Sequence, residues 1–130
     1  MNTGLLSSAG LAVAVVLGFS GGQEGPAQQL MQAKAGYAHR LLDAVVQDDF
    51  ETIRDQAFRL RAVAETADWR VVDTPEYTRA SDAFVRATER LLDAARESNG
   101  DAAALAYMDI TLQCVHCHRY MRSYRAAQAR

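Results

Sequence analysis

The chain has no charged residue among its first 23, a single lysine, two prolines and two cysteines in 130 residues. The shortage of lysine is not made up by a basic surplus, since the formal net charge is -2. A near-neutral chain of this kind lacks the basic face that nucleic acid would require. There is no alternating run of Val, Ile and Thr to suggest half-buried strands. No internal repeat or low-complexity segment is present, and Pro26 and Pro75 both fall at element boundaries. Two cysteines three positions apart cannot form a disulfide framework. Hydrophobic residues make up 49% of the chain, too many for a disordered protein, and 130 residues suffice for one domain with a core.

The uncharged N-terminal stretch differs from the rest. Leu5 to Phe19 is an apolar run followed by small residues. This is the length of a signal-peptide h-region and short for a membrane span. A secretory signal over 1–22, cleaved near Ser20 to Gln23, is expected. An uncleaved N-terminal anchor is the alternative, because the segment before the apolar run carries no Lys or Arg. Either way the folded part is expected to be exported, to the periplasm.

From Ala27 onward the pattern is helical. Met31 (or Leu30), Lys34, Ala38, Leu41, Leu42 and Val45 recur at three- and four-residue steps, predicting a first helix over Ala27 to Gln47. Asp48 or Asp49 caps a second helix over Phe50 to Ala67, with Ile53, Ala57, Leu60 and Ala64 on one face. Thr74-Pro75-Glu76 is a start signal for a third, running to about Ser98 with Tyr77, Ala80, Phe84, Ala87, Leu91 and Ala94 in register. Gly100 is expected to end it in a left-handed conformation, and Asp101 to cap a fourth helix over Ala102 to Ala126. Leu105, Met108, Leu112 and Val115 form the expected core stripe of that helix. The fold class is therefore all-α, a four-helix bundle over 27–126.

Cys114-Val115-His116-Cys117-His118 reads C-x-x-C-H on the fourth helix. An exported pair of thiols becomes a disulfide, a redox couple or an attachment point. A disulfide here would close a very short loop within a regular helix and constrain the unfolded chain little. A thioredoxin-like pair needs a preceding strand and a helix N-terminus beneath the first Cys. Zinc needs ligands that surround it, and adjacent helical residues cannot do so; His39 is the only other histidine. Covalent haem attachment fits best. Cys114 and Cys117 share a helix face and can each bond a haem vinyl group, and His118 supplies the proximal iron ligand. His116, between the cysteines, is expected to face solvent.

A four-helix bundle with C-x-x-C-H near its C-terminus resembles the class II cytochromes c, the cytochrome c′ and cytochrome c556 group. The resemblance covers about Gln28 to Arg125 as an architecture. Its specific residues are Cys117-His118-Arg119-Tyr120-Met121-Arg122, where Arg122 fits the group's C-H-x-x-(Tyr/Phe)-Arg pattern and Met121 replaces the aromatic. The resemblance implies haem c as cofactor and a first helix that supplies or blocks the sixth iron position. Met31 stands there as the candidate distal ligand of an electron carrier. A blocked position would instead leave iron open to NO or CO. Arg122 is a candidate propionate contact. Lys34 and Arg40 are read as solvated side chains within reach of propionates. His39 is read as a surface residue. The expected partners are redox proteins, with a second copy of the chain as a further one. No pair of carboxylates or added histidine points to an enzyme.

Overall fold

A computed structural model describes residues 25–130, and the expected signal segment over 1–22 lies outside the described residues. The helices are α1 (Pro26–Val46), α2 (Phe50–Ala64), α3 (Pro75–Arg96) and α4 (Gly100–Gln128), with a 3-10 turn at Ala67–Trp69. Among the described residues there is no strand, and no helix is long and apolar enough to cross a membrane. The helices pack in ring order, α1 on α2, α2 on α3, α3 on α4 and α4 back on α1, which makes an antiparallel four-helix bundle.

Local chemistry sets the helix limits. The Asp49 carboxylate accepts from the Thr52 amide at 3.1 Å to start α2. The Thr74 hydroxyl accepts from the Tyr77 amide at 3.2 Å to start α3, with Pro75 as its first residue. α4 starts earlier than its sequence suggests, because Asn99, not Asp101, caps it by accepting from the Ala102 amide at 3.0 Å.

The joins after α1 and α3 share one geometry. The Asp49 amide reaches back to the Ala44 carbonyl and the Asn99 amide to the Ala94 carbonyl, both at 2.9 Å. Asp48 (φ 53°) and Ser98 (φ 52°) take the left-handed position of each join. Gly100 does not take the left-handed role expected of it. It lies instead against the exposed carboxylate of Asp48. The end of α1 thus meets the start of α4.

Leu41, Ile53, Leu60, Phe84, Leu91 and Ile110 are fully buried at the centre. In α2 and α3 the core residues follow the expected registers, and in α1 they do so except that Leu42 is exposed and Ala44 is buried. In α4 they do not. Leu105 (69% exposed), Met108 (63%), Leu112 (52%) and Val115 (42%) face solvent, while Ala103, Ala106 and Ile110 are buried. α4 is apolar on two opposite faces, and the one with small residues turns inward. A leucine row there would overfill a core already occupied by Leu41, Phe84 and Leu91. Polar contacts hold the rotation. The Tyr107 hydroxyl donates to the Ala38 carbonyl at 3.1 Å, the Thr74 and Tyr120 hydroxyls bond at 2.7 Å, and Arg90 pairs with Asp109.

Two outcomes follow from this packing. Ile110→Ala should cost about 2–4 kcal/mol, whereas Leu105→Gln and Leu112→Gln should each change stability by less than about 0.5 kcal/mol; denaturant titration distinguishes them. Ser98→Gly should raise stability by about 0.5–1 kcal/mol, by relieving a left-handed non-glycine residue.

Candidate functional site

The inward row of α4 continues past Ile110 through Cys114, Cys117 and Met121, at the same three- and four-residue steps. The rotation that buries Ala103 and Ala106 therefore aims both cysteines into the bundle. Each is a half-buried free thiol packed against the core. Among the described residues no group of three His, Cys, Asp or Glu side chains could hold a metal ion, so the zinc alternative lacks its ligand set.

Opposite the thiols lies Lys34 of α1, only 6% exposed. Its solvated reading is corrected: the residue's place in the apolar register of α1 carries it into the core. The amine stands 3.9 Å from the centre of the Phe84 ring and 4.6 Å from that of Trp69. These rings stack with centroids 5.5 Å apart. Trp69 is held there by its Nε1, which donates to Ser81 Oγ at 2.8 Å, and by its carbonyl, which accepts from the Tyr77 hydroxyl. None of the ion pairs among the described residues involves Lys34.

Charge and burial work against each other at this centre. Burial holds the Lys34 amine below the ordinary lysine range, and nearby Cys114 and Cys117 offset part of the shift. Burial likewise pushes the Cys117 thiol up, against the pull of Lys34. Tyr77 and Tyr107 are raised, first by burial and then by Cys117 and Cys114 respectively, which places one phenol near each thiol.

His118 stands at the rim. It is exposed, and shares an open hollow of about 280 Å³ with Cys114, Val115 and Arg122. It follows Cys114 by four residues, hence on the same side of the helix. Partial desolvation, then the charges of Lys34, Arg122 and Arg125, lowers its pKa. The imidazole is therefore neutral at pH 7, the form that can ligate a metal. His116 and His39 are exposed. Met31 is half-buried against the core, three residues before Lys34. Arg122 is exposed on the rim beside His118. Arg40 is exposed and donates from Nε to Gln56 Oε1 at 2.8 Å, which ties it to α2.

The donor set is two half-buried free thiols turned toward the core, an imidazole one turn beyond Cys114 and an interior amine. Compared with known proteins, the chain matches no family model, no curated protein and no solved structure. The sequence reading missed the burial of Lys34. Its signal was there: the only lysine of the chain occupies an apolar-face position of α1.

In the ligand-free chain, Lys34→Leu should raise stability by about 1–3 kcal/mol near neutral pH, since a buried cation without an anion is unfavourable. The folded-state pKa of Lys34 lies below the unfolded one. Between the two, the unfolded chain binds more protons, so the wild type gains stability as pH rises through that window. The advantage of the variant should therefore shrink as pH approaches about 10.4. Paired denaturation curves across pH measure this difference.

Proposed function

We propose that this chain is an exported, periplasmic monohaem c-type cytochrome of the class II kind that acts in electron transfer. One observation carries the reading: the cysteines of C-x-x-C-H are free, half-buried and directed into the bundle, with His118 one turn beyond Cys114. Cys114 and Cys117 would each add S–H across a haem vinyl group. A C–S bond forms, the hydrogen goes to the other vinyl carbon, and no oxidant is consumed. His118 would be the proximal ligand, with its neutral imidazole supplying the lone pair. Arg122, at the rim beside it, is the propionate candidate. When bound, the haem supplies one-electron chemistry between ferric and ferrous iron. The protein would set the potential by axial ligation, burial and nearby charge.

Around the thiols, Trp69, Phe84, Tyr77 and Tyr107 offer an aromatic lining that would exclude water from the macrocycle. No substrate need be bound or turned over. The partners are then redox proteins.

Expression in cells with c-type haem maturation tests this. The wild-type chain should give a haem-stained band on a denaturing gel and a Soret absorption, and Cys114→Ala/Cys117→Ala should give neither. His118→Ala should keep the covalent stain while losing the wild-type ligation spectrum. An unstained wild-type band would return the site to thiol chemistry. A reduced spectrum that shifts with CO would put gas binding ahead of electron transfer.

A further inference from the structure

We propose that Lys34, rather than Met31, is the α1 side chain that serves the haem iron, with its amine as the sixth ligand. The inference deepens the cytochrome reading and rests on it.

Lys34 is the chain's single lysine and is 6% exposed, yet none of the ion pairs among the described residues includes it. Burying an ammonium without an anion is costly. The π faces of Phe84 and Trp69, 3.9 and 4.6 Å from the amine, offset part of that cost. A leucine would fill the same space at less expense, so the placement calls for a role.

Position narrows the role. The amine interacts electrostatically with both Cys114 and Cys117. Those sulfurs would bond the vinyl edge of the macrocycle, whereas the propionates leave from the opposite edge. An amine at the thiols is badly placed to neutralise a propionate. The haem centre it can serve is the iron, and a long flexible stem lets the nitrogen adjust to it. Ligation balances simply: the ammonium releases one proton to solvent, and the freed lone pair forms the N–Fe bond without redox change. Met31 is three residues nearer the start of α1 and only half-buried. Trp69 and Phe84 act as positioning residues, with their ring faces 4.6 and 3.9 Å from the amine.

The test uses the full chain matured with haem c, in wild-type, Lys34→Leu, Lys34→Arg and Met31→Leu forms, read by absorption and ferric EPR with and without CO. Wild type should be low-spin, without the methionine-to-iron charge-transfer band and without CO binding. Lys34→Leu should lose that low-spin signature and bind CO. Lys34→Arg should do the same, because a guanidinium keeps the charge but cannot ligate; this separates ligation from a purely electrostatic role. Met31→Leu should leave the spectrum unchanged. A high-spin wild type, an unchanged Lys34→Leu spectrum, or a low-spin signal lost only in Met31→Leu would overturn the assignment while leaving the cytochrome reading intact. A chain without covalent haem would overturn both, and the denaturing gel shows which has happened.

Discussion

The rotation of α4 about its own axis is the constraint on which the rest of this structure depends. The helix could bury either of two apolar rows. It buries the row of small residues, Ala103 and Ala106 with Ile110, because the space between α1 and α3 already holds Leu41, Phe84 and Leu91. Close packing tolerates little added volume. The hydroxyl of Tyr107 bonded to the Ala38 carbonyl of α1, that of Tyr120 bonded to Thr74 at the head of α3, and the Arg90–Asp109 pair hold the chosen rotation. Because a helix is rigid, the choice made near its N-terminus is transmitted along it. Cys114 and Cys117 inherit an inward direction, and Val115 and His116 an outward one.

The second consequence lies across the bundle. A lysine in the core register of α1 would be a defect in a helix bundle selected only for stability. Here its amine stands near two stacked aromatic rings and interacts with two thiols. The 3-10 turn before α3 carries Trp69 to that place, where it is tied to Ser81 and Tyr77. Stability and site are in tension at this point. A local conflict of this kind marks where function has overridden packing.

The same center accounts for the protonation states that the cytochrome reading needs. Desolvation favours neutral forms, so Lys34 is held down and Cys117 is held up. The cations around His118 reinforce its neutral form. Each shift runs toward the neutral form, which is the direction that burial imposes on any ionisable group.

Much of this protein was legible in the chain alone. Helical periodicity, Thr74-Pro75, Asp49 and the absence of strand patterns determined four helices and a bundle, since capping and amphipathicity are local properties. That C-x-x-C-H falls on the last helix was legible for the same reason. Other features needed the assembled bundle. The Leu105, Met108, Leu112 and Val115 row is as regular as any core stripe, and only competition for volume with α1 and α3 turned it outward. Gly100 was misread because its close neighbour, Asp48, is distant in sequence. Lys34 was visible in register but its burial was not, because a charge is placed inside a protein by what surrounds it there. Periodicity reports which residues share a face of a helix; the neighbouring helices decide which face is buried, and what a side chain on it meets.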